Sequence, residues 1–167
     1  MPSHTQNSVL TQLKGYAAEW RKLKQPASCN NMSVCGIVGD PVSCEVPVPG
    51  RKFTGPFPDD HTFRKTIGEA YYANAGRRRT PEEVTDSLPS SSSSVLSHCD
   101  LAPRNILVDG GKITGIIDWE FAGWYPEYWE YAITRSDAWE VPVSSFLEPY
   151  PEGLAAVNFV RHVLLGF

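Results

Sequence analysis

Long apolar runs and a leader sequence are what this chain most clearly lacks. A membrane-spanning helix needs about 20 consecutive apolar residues, and no stretch of the 167 residues approaches that length. The N-terminal segment MPSHTQNSVL has no lysine or arginine followed by an apolar core, so no signal peptide is predicted. These absences predict a soluble, cytoplasmic protein of one-domain length that does not enter a membrane.

Cysteine pairs and basic clusters are also lacking. The four cysteines have no C-x-x-C spacing of the kind that zinc sites use. Without a leader their thiols are expected to be reduced, and Cys29, Cys35 and Cys44 are interpreted as small buried side chains. The net charge is −4, and the only basic run is GRRRT, residues 76–80. This run is interpreted as a solvated loop, so no nucleic-acid binding is predicted.

The N-terminal region has apolar residues at helical spacing. They are Val9, Leu13, Tyr16, Ala17, Trp20 and Leu23. This pattern predicts an amphipathic helix over residues 9–24, with Ser8 as its cap and Pro26 as its end. The apolar stripe of such a helix requires a surface to pack against.

Three further helices are predicted downstream. One begins at Asp59 or Asp60, either of which can cap it, and ends near residue 74. Its apolar face consists of Phe63, Ile67, Ala70 and Tyr71. The segments 127–139 and 151–167 also have approximate helical spacing.

The segments between the helices differ in kind. Residues 26–57 are rich in Pro, Gly, Asn and Ser and predict an irregular connection with at most one small hairpin. Residues 75–94 contain five consecutive serines and predict a flexible loop, with room for one helical turn near TPEEV. Residues 106–108 and 113–117 flank DGGK, which predicts a β-hairpin. The chain is therefore expected to be α+β and mainly helical, with an ordered core at about 95–140.

The aromatic segment WYPEYWEY, residues 124–131, admits two interpretations. Aromatic faces can stack on a sugar or a base, but aromatic residues at helical spacing more often belong to a core. We favour the core.

Polar residues stand among apolar ones in VLSHCDLAPRNILVDGGKITGIIDWE, residues 95–120. His98, Asp100 and Asn105 form the pattern H-x-D-x4-N, and Asp118 follows after the hairpin. This set suits phosphoryl transfer, because a carboxylate at Asp100 can orient a hydroxyl and accept its proton. The side-chain oxygens of Asn105 and Asp118 suit Mg²⁺, which prefers oxygen ligands. An Asp-x4-Asn alone is common in turns; the joint pattern, with the hairpin that folds the chain back, is specific.

The segment HCDLAPRNILVDGGKITGIIDWEFAGWYPEYWEY resembles the aminoglycoside phosphotransferase family, in its large fungal branch. The family motif reads H-G-D-L-x-x-x-N, then a hairpin, then I-I-D-W-E. The match is dense over residues 95–132 and looser over GPFPDDHTFRKTI and the first helix. The resemblance implies the C-terminal lobe of a protein-kinase-like fold, with the hairpin carrying a metal site. It also implies a phosphoryl transfer that uses ATP and Mg²⁺ and acts on a hydroxyl of a small-molecule substrate.

Carried over to this sequence, the resemblance implies Asp100 as the catalytic base and Asn105 and Asp118 as magnesium ligands. It implies that His98 orients the catalytic loop rather than reacts. No residue is assignable to ATP itself. Cys99 stands where the family usually has Gly, whose backbone freedom or close packing that position can require.

The upper half of such a fold is not visible in the sequence. No glycine-rich loop followed by a strand with a lysine precedes the catalytic loop, although a kinase-like enzyme needs both. Residues 1–167 are therefore interpreted as a partial domain, with the N-terminal lobe absent and the activity impaired. The alternative is a truncated, non-catalytic lobe: a pseudoenzyme, a binding module or an incomplete gene model. Exposed apolar surface is then expected to favour self-association.

Overall fold

The computed structural model describes residues 3–29, 33–42, 55–74, 78–134 and 136–165. Within them lie five α-helices and five short strands. The helices are α1 (Ser3–Trp20), α2 (Asp60–Asn74), α3 (Pro81–Ser87), α4 (Trp129–Ile133) and α5 (Pro151–Leu165). The strands are β1 (Cys35–Gly36), β2 (Ser94–Ser97), β3 (Ile106–Asp109), β4 (Lys112–Ile116) and β5 (Gly123–Pro126). The chain is thus α+β with small antiparallel sheets, as expected.

Helix α1 both begins and ends earlier than its apolar spacing predicts. It starts at Ser3, so Ser8 is not its cap; the Ser8 hydroxyl instead donates to the carbonyl of Gly111 at 3.5 Å. After Trp20 the backbone continues in tighter turns, in which the Leu23 N–H donates to the Trp20 carbonyl at 3.2 Å. The polar residues before Ser8 extend the helix without contributing to the apolar pattern, which is why the pattern placed its start too late.

The buried face of α1 is narrower than the predicted stripe. Tyr16 and Leu23 are 44% and 56% exposed. The buried residues of the helix are Val9, Leu10, Leu13, Ala17 and Trp20. Most of this face packs in one cluster with the β3–β4 hairpin and with Phe146.

Helix α3 corrects the prediction of a flexible loop over residues 75–94, in which one helical turn near TPEEV was allowed: the helix has seven residues. Thr80 and Glu83 cap it reciprocally: Thr80 Oγ1 accepts from the Glu83 N–H at 3.2 Å, and Glu83 Oε2 accepts from the Thr80 N–H at 2.7 Å. The helix packs closely on α2, where a Cβ on Gly68 would lie 2.3 Å from the carbonyl oxygen of the first α3 residue. A capping box and tertiary packing therefore order this segment.

The two candidate caps of α2 have different roles. Asp59 Oδ1 accepts from the Thr62 N–H at 2.7 Å, so Asp59 is the cap, and this bond lowers the pKa of the Asp59 carboxyl. Asp60 is buried and instead accepts from Arg64 Nε at 2.7 Å, while Arg64 Nη1 donates to the Thr85 carbonyl at 2.8 Å. The predicted apolar face is confirmed, since its members are all buried: Phe63, Ile67, Ala70 and Tyr71.

The predicted hairpin is also confirmed. Strands β3 and β4 pair antiparallel, with Asp109 opposite Lys112. Between them Gly110 and Gly111 both have positive φ, 54° and 79°, as a two-residue type I′ turn requires.

A second, three-stranded sheet is not indicated by the local sequence. Its strand order is β1-β5-β2, and all neighbours are antiparallel. All four residues of β5 are buried, so this strand lacks the alternation of a half-buried strand. Its partners come from distant parts of the chain. The helix predicted over 127–139 is accordingly shorter and is represented by α4 and a separate turn at Ser136–Ala138.

Two apolar clusters form the core, and the loop after β2 contacts both. Cys99 packs against the cluster around α2, α4 and α5, while Leu101 belongs to the cluster around α1 and the hairpin. Buried residues therefore extend far beyond the predicted ordered core of 95–140. The aromatic segment belongs to the core, as favoured: its buried members are Trp124, Tyr125, Tyr128 and Trp129.

Some predicted features lie outside the described residues. They are Cys44, residues 30–32 and 43–54 of the irregular connection, residues 75–77 of the predicted loop and basic run, residue 135 of the predicted helix 127–139, and the last two residues of the C-terminal helix. Within the described part of the chain, no helix has the length and apolar character that crossing a membrane requires.

Candidate active site

The loop from His98 to Asn105 connects β2 to β3 and holds three of the predicted site residues. It closes with a 3-10 turn, Pro103–Asn105, in which the Asn105 N–H donates to the Ala102 carbonyl at 2.9 Å. Leu101 is buried, and its carbonyl accepts from Trp139 Nε1 at 3.3 Å. Burial and hydrogen bonds therefore fix the backbone of this loop.

The carboxylate of Asp100 is held by two neighbours on the same loop. Arg104 Nη2 lies 2.5 Å from Oδ1 and 2.6 Å from Oδ2, and Asn105 Nδ2 lies 2.8 Å from Oδ2. The Asp100 side chain is 24% exposed. Oδ2 thus accepts two hydrogen bonds and Oδ1 accepts one, which leaves an acceptor position on Oδ1 for a further donor.

Asn105 is buried and is oriented by Asp100. Its Nδ2 donates to the Asp100 backbone carbonyl and to the Asp100 carboxylate, both at 2.8 Å. Because both partners are acceptors, the amide nitrogen must face them. The amide oxygen of Asn105 is then the atom left for a cation.

His98 is fully buried and joins the loop to the end of β4. Its Nδ1 accepts from the Asp100 N–H at 3.2 Å, and its Nε2 lies 3.0 Å from the Ile117 carbonyl. A carbonyl only accepts, so Nε2 carries the proton and the ring is neutral. Burial lowers the pKa of His98, against the opposing effects of the Ile117 bond and of Asp100 and Asp118. The Trp119 ring packs on it at 4.5 Å between centroids.

Glu130 of α4 also holds the backbone of this loop, a role that the sequence did not predict. Its carboxylate accepts from the backbone N–H of His98 and, at 3.2 and 3.3 Å, from that of Cys99. Burial raises the pKa of Glu130 to about 7, although the two N–H groups and Arg21 act in the opposite direction. The available signal was a carboxylate placed directly between two aromatic residues, Trp129 and Tyr131.

Cys99 occupies a left-handed backbone conformation, with φ of 67°. This conformation is strained for a residue with a Cβ and unstrained for glycine. The structure thus gives a conformational reason for a glycine at this position. Cys99 keeps the conformation because both its backbone and its side chain are held, by Glu130 and by the first apolar cluster.

Asp118 follows β4 at a point that is tied to the loop. The preceding residue, Ile117, donates its N–H to the Asn105 carbonyl at 2.9 Å, and its own carbonyl bonds to His98. Asp118 itself is exposed and has φ of 66°, a left-handed conformation that Asp tolerates better than most residues. The hairpin therefore returns the chain to the loop as expected, with Asp118 at the return point.

The donor chemistry of this region fits a magnesium ion. Asn105 offers an amide oxygen and Asp118 an exposed carboxylate, and Mg²⁺ typically takes one or two protein carboxylates beside waters and phosphate oxygens. Among the residues that the structure describes, no three His, Cys, Asp or Glu side chains cluster to hold a metal. A site completed by a bound phosphate does not need such a cluster.

Comparison with known proteins gives one match. The model of a family described as the phosphotransferase enzyme family matches residues 55–165. This segment is more than half of the chain and includes all four predicted site residues. No curated protein and no solved structure matches.

Proposed function

The chain belongs to the phosphotransferase enzyme family, which confirms its resemblance to the aminoglycoside phosphotransferases, and we propose that it transfers the terminal phosphoryl group of ATP to a hydroxyl of a small molecule. The observation that supports this best is the Asp100 carboxylate. It is oriented by Arg104 and Asn105 and keeps one acceptor position on Oδ1. A carboxylate in that state can receive a substrate hydroxyl.

Asp100 Oδ1 accepts the hydrogen bond of the incoming hydroxyl and orients its oxygen. It takes the hydroxyl proton as the oxygen attacks the terminal phosphorus of ATP, whose bond to the bridging oxygen breaks so that ADP leaves. Asn105 and Asp118 would hold a magnesium ion, which would neutralise phosphate charge when bound. His98 does not exchange protons in this scheme. As a neutral ring between Asp100 and Ile117 it fixes the relative position of the base and the metal-binding segment.

We further propose that the described residues correspond to the C-terminal lobe of a protein-kinase-like fold, in the fungal branch of the family. The order of catalytic loop, hairpin and Asp118 supports this. Neither described strand that precedes the loop, Cys35–Gly36 or Ser94–Ser97, carries a lysine. Since kinase-like enzymes bind ATP phosphates through such a lysine, we expect slow turnover by this chain on its own.

Turnover of ATP with a panel of alcohols and amino alcohols tests the proposal. Replacing the base, Asp100→Asn, should lower the rate by about 10²–10⁴-fold. Asp109→Asn is the matched control, because Asp109 is exposed and its place before Gly-Gly accepts Asn equally well. No turnover by the wild-type chain, or turnover that Asp100→Asn leaves unchanged, would contradict the proposal.

A second candidate is a non-catalytic lobe that self-associates. It is favoured by four large apolar side chains that are 44–56% exposed, on α1, just after it, and around the hairpin: Tyr16, Leu23, Leu107 and Ile117. Light scattering across a range of concentrations tests it. A mass that stays monomeric, and does not differ between the wild type and Leu23→Ser, counts against this candidate.

A further inference from the structure

Arg104 makes only part of the contacts that its side chain can make. Nη2 bonds to both oxygens of Asp100, while the N–H groups on Nε and Nη1 have no hydrogen-bond partner among the described residues. The side chain is 62% exposed. Three of its five N–H groups therefore face no acceptor in the described part of the chain and are available to a ligand.

Arg64 provides a contrast within the same chain. It is buried, its Nε bonds to Asp60, and its Nη1 bonds to the carbonyls of Thr85 and Leu88. That arginine is occupied by the protein and joins α2 to α3. Arg104 does not join two elements in this way, so fold stability alone does not explain its position on the Asp100 carboxylate.

The place of Arg104 relative to the reacting groups determines which ligand it would meet. The proposed substrate hydroxyl bonds to Oδ1 of Asp100. That oxygen atom lies 2.5 Å from Arg104 Nη2. Reacting atoms come within about 3–3.5 Å of each other before transfer. The phosphorus attacked by that hydroxyl therefore lies within about 6 Å of Oδ1, which is within reach of the exposed guanidinium of Arg104.

We propose that Arg104 is the phosphoryl-binding residue of this site. Nη2 stays on Asp100 while Nε and Nη1 donate to oxygens of the phosphoryl group, so that one cation orients the base and stabilises the charge that spreads over those oxygens during transfer. Guanidinium suits this double role because it is always charged and has donors in fixed directions. This inference rests on the proposed function and assigns a subsite within it.

Phosphate binding tests the assignment without any need for turnover. The wild type, Arg104→Met and Arg104→Lys are titrated with inorganic phosphate, MgADP and MgATP, by calorimetry or by ³¹P resonance. Arg104→Met should weaken phosphate and MgATP binding by about tenfold or more, as loss of a charged hydrogen bond does, with little effect on MgADP. Arg104→Lys, which keeps the charge, should fall between. Arg78→Met removes another exposed arginine and should bind as the wild type does.

The outcomes separate this inference from the proposed function. Loss of phosphate binding in Arg104→Met, in a chain without turnover, supports the subsite and refutes the activity. Turnover that is the same in Arg104→Met and the wild type refutes the subsite and leaves the activity standing. Equal phosphate affinity in the two proteins, or no phosphate binding by a folded wild type, also overturns the assignment.

Discussion

Replacing Glu130 by glutamine tests whether a buried carboxylate anchors the catalytic loop. Glu130 is 1% exposed and accepts from two successive backbone N–H groups. Glutamine has nearly the same shape and keeps one acceptor oxygen, but it does not titrate. Glu130→Gln should therefore remove a pH dependence of stability while leaving the loop in place.

The sign and size of that dependence follow from the raised pKa. Burial moves the pKa of Glu130 from its ordinary 4.5 to about 7, so between these values the folded chain holds more protons than the unfolded chain. Protonation then favours folding, and its contribution is lost as pH rises. A shift of this size corresponds to about 3 kcal/mol in total. Of this, about 2–3 kcal/mol is lost between pH 5 and pH 8.

Urea unfolding of the wild type and Glu130→Gln at several pH values measures the difference directly. His98 titrates in the opposite sense: its lowered pKa means that stability is lost as pH falls below about 6.5. That effect is common to both proteins and cancels in the comparison. Glu120→Gln, at an exposed site, is the control and should track the wild type. A free-energy difference between Glu130→Gln and the wild type that is constant from pH 5 to pH 8 would refute the reasoning.

Two further predictions concern backbone positions. Gly68→Ala should lower the free energy of unfolding by about 1–3 kcal/mol, because its Cβ would meet the α3 backbone at 2.3 Å. Gly15→Ala, in α1 with open space around it, should instead raise the free energy of unfolding by about 0.5–1 kcal/mol. The opposite ranking of the two variants in urea unfolding would contradict the packing of α2 on α3. Cys99→Gly should raise the free energy of unfolding by about 0.5–1 kcal/mol, since relief of the left-handed strain exceeds the extra freedom of glycine in the unfolded chain. Cys35→Gly, at a buried position without positive φ, should lower the free energy of unfolding. If both variants lose stability by a similar amount, packing of the side chain rather than backbone conformation decides at position 99.

Local patterns were sufficient for the elements whose order depends on nearby residues. The hairpin was predictable because Asp-Gly-Gly selects a tight turn between β-rich segments, and both glycines have the positive φ which that turn needs. The face of α2 was predictable because its buried residues follow helical spacing. Asp100 and Asn105, which the sequence assigns to one site, lie on one short loop and bond to each other, so sequence separation again posed no difficulty.

Long-range contacts were not predictable in the same way. Strand β5 is a strand only because β1 and β2 pair with it across many residues of chain, and its four buried residues have no alternation. Helix α3 precedes a run of serines that suggests a loop, and the local sequence indicated only one helical turn there. Its capping box is local, but its close packing on Gly68 of α2 is a tertiary contact. In both cases the deciding interaction is tertiary, and the local sequence is ambiguous.

Glu130 and Cys99 act together to hold the backbone of the catalytic loop. Successive backbone N–H groups in a turn, or next to a residue with a left-handed conformation, can form a concavity that binds an anion. The Glu130 carboxylate accepts from the N–H of His98 and from that of Cys99, the residue whose φ is 67°. A buried carboxylate and a strained backbone conformation, which both cost folding free energy, therefore occur at the same point of the loop. What they achieve together is to fix the backbone beside Asp100, so that the proposed base is oriented from its main chain as well as from its side chain.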